Sequence, residues 1–157
     1  MSEAQPILRL DEATIKFGGL TAVNKVSFQL NRGDIFGLIG PNGAGKTTCF
    51  NLITGVYKPT SGEIYFQGQP IGGLAPNKIA TRGICRTFQN IRLFSALSSV
   101  ENVMIGAHLR HRVPLVGALL LAPDSVAETK ALRERSMHLL ELVNLADYAN
   151  HRSSDMS

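Results

Sequence analysis

The sequence predicts an α/β fold on three observations. The first thirty residues carry short stretches in which apolar and polar side chains alternate. An uninterrupted apolar run, Ile35 to Ile39, leads into a glycine-rich loop. The C-terminal third places apolar side chains at helical spacing.

Ile7 to Leu10 and Ala13 to Phe17 read as β structure, broken by Gly18-Gly19. In Val23 to Leu30, Val26, Phe28 and Leu30 alternate with polar residues, as in a half-buried strand. Asn31-Arg32-Gly33-Asp34 is a turn by composition. Ile35-Phe36-Gly37-Leu38-Ile39 lacks alternation, the pattern of a strand buried on both faces of a parallel sheet. After the glycine loop, Lys46 to Thr54 predicts a helix that Gly55 ends. Glu63 to Gln67 predicts a strand, Pro76 to Arg82 a short helix stopped by Gly83, and Ile84 to Phe88 another strand.

Ser98 and Glu101 have capping-box spacing, and Val100, Val103, Met104 and Ala107 continue at helical intervals. Ser125 and Glu128 form a second such pair, ahead of an apolar stripe through Leu132, Leu139, Leu140 and Val143. The stretch from Arg112 to Asp124 between them is expected to be a loop or a short interfacial turn, with Asp124 capping the helix that follows.

Composition excludes several classes. With 157 residues, 44% hydrophobic and 18% charged, the chain can bury a core and is not disordered. The net charge of +4 comes from scattered basic residues such as Arg9, Lys25, Lys78 and Arg133, so no nucleic-acid partner is expected. Cys49 and Cys85 sit in apolar surroundings and read as reduced core residues. The longest apolar run, Leu115 to Ala122, lies between Pro114 and Pro123. It is far shorter than the roughly 20 residues of a membrane-spanning helix.

Chemistry enters with Gly40-Pro41-Asn42-Gly43-Ala44-Gly45-Lys46-Thr47-Thr48, which matches G-x-x-x-x-G-K-[ST]. Gly43 and Gly45 let the main chain curl until its N–H groups face phosphate oxygens. The N-terminus of the next helix adds partial positive charge, and Lys46 a full one. The Thr47 hydroxyl is a hard oxygen suited to Mg²⁺, and Thr48 serves the α-phosphate side. Four fixed positions arise by chance in roughly one such chain in a few hundred, so the segment predicts binding of a nucleoside triphosphate. Guanine readers carry N-K-x-D. Here Asn24-Lys25-Val26-Ser27 ends in Ser and Asn77-Lys78-Ile79-Ala80 in Ala, so neither offers the carboxylate. Adenine held by stacking asks for an aromatic face and apolar neighbours, for which Phe17 and Val23 are candidates.

The stretch from Ile15 to Gly68 resembles the opening of an ABC transporter ATPase subunit. Arg86 to His108 resembles its Q-loop and the start of its helical subdomain. Phe17-Gly18-Gly19-Leu20, Arg86-Thr87-Phe88-Gln89 and the loop from Leu109 to Ser125 are most similar to branched-chain amino-acid importers. The resemblance implies a P-loop NTPase fold with an N-terminal antiparallel β subdomain and a partial helical subdomain, divided near residue 95. It gives Phe17 the adenine-stacking place and makes Gly40 to Thr48 the Walker A loop. Gln89 takes the glutamine that meets Mg²⁺ and the attacking water, and Asn90 to Phe94 border a groove for a permease. It also implies ATP and Mg²⁺ as ligands, a second ATP-binding subunit, and permease subunits served by a periplasmic solute-binding protein. The place of work is the cytoplasmic face of the inner membrane.

The family's pattern also requires an acidic Walker B strand, a signature loop and a switch histidine, for which these residues offer no match. Leu119 to Asp124 imitates the strand, but Pro123 would remove a ladder bond and no Glu follows Asp124. Met156-Ser157 falls where the signature loop would begin. The chain is therefore expected to hold about the first two-thirds of such a subunit, with an incomplete core sheet and Ile35 to Ile39 left with an unpaired edge. ATP hydrolysis is the family's reaction. This stretch alone is expected to bind nucleotide weakly, to be marginally stable and not to turn nucleotide over. An ATPase for another cargo (urea, or an exported lipid) and a non-hydrolysing interaction module are the competing readings.

Overall fold

The computed structural model describes residues 5–87, 93–107 and 123–156, without the side chains of 123–125. It divides into two compact units, Met1–Thr87 and Phe88–Ser157.

The first unit is built on an antiparallel sheet of four strands: β1 (Leu8–Phe17), β2 (Leu20–Leu30), β3 (Ser61–Phe66) and the short β4 (Gln69–Pro70), in the order β2-β1-β3-β4. Phe17 pairs with Leu20, so Gly18-Gly19 is a two-residue hairpin turn and Gly18 takes φ 56°. The two β stretches expected before that turn are one strand. Its ladder shifts register between Leu10 and Ala13, and Glu12 in that interval has φ 46°. The shift turns Thr14 inward among Ala13 and Ile15. Its hydroxyl is satisfied there, accepting from the Lys25 N–H at 2.9 Å and donating to the Glu12 carbonyl at 3.1 Å.

Helix α1 (Lys46–Ile53) buries Cys49, Leu52 and Ile53, the three- and four-residue spacing that puts side chains on one helix face. They join Leu10, Ala13, Ile15, Val23, Ile64 and Ile71 in one core. Helix α2 (Pro76–Thr81) starts on Pro76, which has no N–H to lose, and buries Ile79. Asn31 to Asp34 is a turn as expected, its Asn31 N–H bound to the Asp34 carboxylate at 2.7 Å.

Three expectations for this unit are corrected. Ile35 to Ile39 forms no strand: Ile35 is 103% exposed and Ile39 94%. A strand exists only through a ladder partner, and none lies beside this segment among the described residues. Phe36 gains some packing, stacked on Phe28 at 5.0 Å. Ile84 to Thr87 is likewise not a strand, and Phe88 lies outside the described residues. Cys85 is exposed on that irregular segment, so only Cys49 is a core thiol, and burial pushes its pKa up.

In the second unit helix α3 (Ser99–Gly106) packs on helix α4 (Pro123–Leu142) around Val100, Leu140 and Ala149. The first capping box is present in both directions: the Glu101 N–H reaches Ser98 Oγ at 3.4 Å and the Ser98 N–H reaches Glu101 Oε2 at 2.8 Å. The second is not a cap. Helix α4 already begins at Pro123, so Asp124 and Ser125 lie inside its first turn. The apolar stripe also shifts. Leu140 is buried with Ser136 one turn before it, whereas Leu139 and Val143 face solvent. The segment after α4 returns to α3, where the Val100 N–H binds the Ala149 carbonyl at 2.9 Å and the Ser99 N–H binds that of His151 at 3.1 Å. No helix among the described residues is long and apolar enough to cross a membrane.

Candidate nucleotide site

The glycine loop lies against β2. Gly45 immediately precedes α1 with φ 83°, ψ 6°, a left-handed conformation that costs glycine little. A Cβ there would overlap the Ala22 carbonyl oxygen and stand 3.3 Å from Val23 Cγ2. The close approach of loop and strand therefore requires the missing side chain. Val23 is buried and forms the floor under Gly45, so its contribution is support for the loop rather than an open face.

No side chain caps α1, and its first turn holds no acidic residue. The first helical bond runs from the Cys49 N–H to the Gly45 carbonyl at 2.8 Å, which leaves the N–H groups at the helix entrance for an external acceptor. The Ala44 N–H turns to the Pro41 carbonyl at 3.2 Å and closes the curl. Gly43 has φ 84° with nothing within 4 Å of where a Cβ would stand, so the space over the curl is open. The Lys46 ammonium folds back over the loop and donates to the carbonyls of Gly40 at 2.6 Å and Pro41 at 2.7 Å. Asn42 and Thr47 are exposed, and Thr48 is half-buried. Among the described residues the loop brings together main-chain donors and the Lys46 ammonium, a donor set that fits a polyphosphate.

Phe17 stands at the end of β1, 44% exposed. Its ring meets Tyr57 edge-on, with centroids 5.1 Å apart and planes at 73°. Sequence reasoning passed over Tyr57, whose place two residues after the helix-ending Gly55 was the available signal. It also passed over Asn51. That side chain lies one turn beyond Thr47 on the same helix face and accepts from Arg86 Nη1 at 2.6 Å, while the guanidinium sits 5.7 Å from the Phe50 ring centre. This tie fastens the segment before Gln89 to the helix that carries Lys46 and Thr47. Gln89 itself, and Asn90 to Arg92, lie outside the described residues. Among the described residues no cluster of three or more His, Cys, Asp and Glu could hold a metal ion.

A family model described as ABC transporter matches residues 23–157. The chain belongs to that family. The ABC relatives it resembles include the high-affinity branched-chain amino acid transport ATP-binding protein BraF of Pseudomonas aeruginosa, 40% identical over 98% of this chain and 60% of the relative. LivG of Escherichia coli K12, a protein of the same description, is 41% identical over the same shares. Among solved structures, the ADP conformation of an ATP-binding cassette of an ABC transporter superposes with a TM-score of 0.74 at 30% identity, covering 98% of this chain and 59% of that one. The chain thus spans about 60% of the length of the ABC proteins it matches. The fold is that of an ABC ATPase cassette in part, an α/β structure with an antiparallel sheet.

Proposed function

We propose that this chain is the nucleotide-binding portion of an importer ATPase that acts with a membrane permease to move branched-chain amino acids. The observation that carries the reading is the uncapped entrance of α1, opened by left-handed Gly45 and overlaid by the Lys46 ammonium. The relatives' descriptions support the cargo.

In this reading the residues divide the work. Main-chain N–H groups of Gly43 and of Gly45 to Thr48 would face the phosphate oxygens, and the Thr47 hydroxyl would hold Mg²⁺. Lys46 now donates to two neutral carbonyls. Charge-assisted bonds are roughly twice as strong, so the ammonium gains by exchanging those carbonyls for phosphate oxygens. Phe17 offers a ring face to adenine, and Thr48 serves the α-phosphate side. The Gln89 amide oxygen meets Mg²⁺ and orients water without acting as a strong base. When bound, MgATP would supply a β–γ phosphoanhydride whose hydrolysis by water to ADP and phosphate is the family's reaction. Residues 1–95 would then carry the β subdomain, Walker A loop and Q-loop, and 96–157 the helical subdomain.

A second ATP-binding subunit closes over the nucleotide. The permease docks near Asn90 to Phe94 and receives solute from a periplasmic binding protein. The chain works at the cytoplasmic face of the inner membrane. Calorimetry of the 157-residue chain with MgATP tests the reading. One-site heat that Lys46→Ala removes is the expected result, and a folded wild-type chain that gives no heat overturns it.

A further inference from the structure

The loop after α1 ends where the candidate base platform begins. The Tyr57 N–H donates to the Asn51 carbonyl at 3.1 Å, which fastens Tyr57 to the last turns of α1, and its ring packs on the core shared by Cys49 and Leu52. Three residues on, the chain is pinned to β1 from two sides. The Thr60 N–H donates to the Thr14 carbonyl at 2.8 Å, and the Lys16 N–H donates to Thr60 Oγ1 at 3.0 Å. Lys16 is the neighbour of Phe17. One short, hydrogen-bonded run therefore connects the helix that starts at the phosphate loop to the strand end that carries the aromatic ring.

Within that run Tyr57 meets Phe17 in an edge geometry at 5.1 Å, the arrangement the ring quadrupoles favour. A T-shaped neighbour engages at most one face of Phe17, and the residue remains 44% exposed. Tyr57 thus restricts the rotamers of a half-exposed side chain while part of that side chain stays open to solvent. An unsupported Phe would have to be immobilised when the base arrives, at a cost in binding.

We infer that Tyr57 is a positioning residue for the adenine platform: it holds the Phe17 ring ready and sets it at a fixed distance from the phosphate loop through α1. This rests on the nucleotide-binding reading above, and it assigns Tyr57 a part in base recognition and none in phosphate recognition.

The test compares MgATP with inorganic tripolyphosphate, by calorimetry on the 157-residue chain. Tyr57→Ala is expected to weaken ATP roughly threefold to tenfold, the range for loss of one aromatic pair, and to leave tripolyphosphate unchanged. Unchanged tripolyphosphate binding also shows that the loop has folded. Tyr57→Phe, which keeps the ring, should restore ATP affinity to within about twofold of wild type. Phe17→Ala should weaken ATP, and adding Tyr57→Ala to it should weaken ATP no further, because Tyr57 acts through Phe17. The inference is overturned if Tyr57→Ala leaves ATP affinity intact, lowers both ligands equally, or adds its full effect to Phe17→Ala. A wild-type chain that binds neither ligand instead refutes the nucleotide-binding reading itself, and this inference with it.

Discussion

Asn102 Nδ2 donates to Ser153 Oγ at 2.9 Å, a contact that joins residues 51 apart in the chain. The same amide donates to the carbonyls of Phe94 at 3.1 Å and Ser98 at 3.0 Å, and its oxygen accepts from the Phe94 N–H at 2.9 Å. One side chain on α3 therefore fastens both the segment entering the helix and the segment returning after α4. Asn102→Ala would leave several partners without their bonds. The expected cost is about 1–3 kcal/mol, seen as a lower thermal midpoint and faster amide exchange at 94–98 and 151–154. Unchanged exchange there would show that the segments hold without it.

Two substitutions in the loop separate folding from binding. Lys46→Ala removes a half-buried charge that bonds to two neutral carbonyls, so nucleotide binding should vanish while the melting temperature barely moves. Gly45→Ala puts a methyl group against the Ala22 carbonyl at φ 83°. It should lose binding and stability together, with a drop well beyond about 1 kcal/mol. Equal melting curves for the two variants would contradict the observed approach of loop and strand.

Glu101 has a lowered pKa, caused first by the Ser98 side-chain bond and then by its backbone bond. A carboxylate with a depressed folded pKa adds stability above its unfolded value, about 4.3. That contribution disappears as the pH falls through the folded pKa. Wild type should therefore be more helical and more stable than Glu101→Gln at neutral pH, and the gap should close in acid. Circular dichroism melts between neutral and strongly acidic pH measure it, and a gap that widens in acid would be the wrong sign.

The two cysteines should differ in reactivity. Cys85 is exposed and Cys49 buried, with its thiol pKa raised. A chromogenic disulfide reagent should titrate one thiol quickly in the native chain and both in denaturant. Substituting Cys85 by Ser should remove the fast phase.

Ile35 and Ile39 are nearly fully exposed. Ile35→Ser with Ile39→Ser should change stability by no more than about 0.5 kcal/mol while lowering the binding of a hydrophobic dye. A large loss of stability would mean that both side chains are packed.

Local signals were legible where the physics is local. The glycine loop, the box between Ser98 and Glu101, the break in β structure at Gly18-Gly19 and the start of α1 each depend on residues within a few positions of one another. The failures share a different cause. Ser125 has the right neighbours for a cap, but Pro123 can already occupy a first helical turn, so α4 starts earlier. Leu139 and Val143 stand four residues apart, at helical spacing, yet the positions buried on α4 are Ser136 and Leu140. The place of Tyr57 after Gly55 was a weak local signal, and its meeting with Phe17, across forty positions of chain, is not a local property.

The order of residues alone was enough to predict a curled glycine loop, leading into a helix, between a β-rich start and a helical end, because glycine torsions and helix-terminal donors act at short range. Whether Ile35 to Ile39 becomes a strand, whether Cys85 is inside, and how Phe17 is held depended on what lies across from them in space. A β ladder, burial and an aromatic contact are properties of pairs of segments. Apolar pattern can announce the need for a partner, and only the folded arrangement supplies one to Phe17 and leaves Ile35 without.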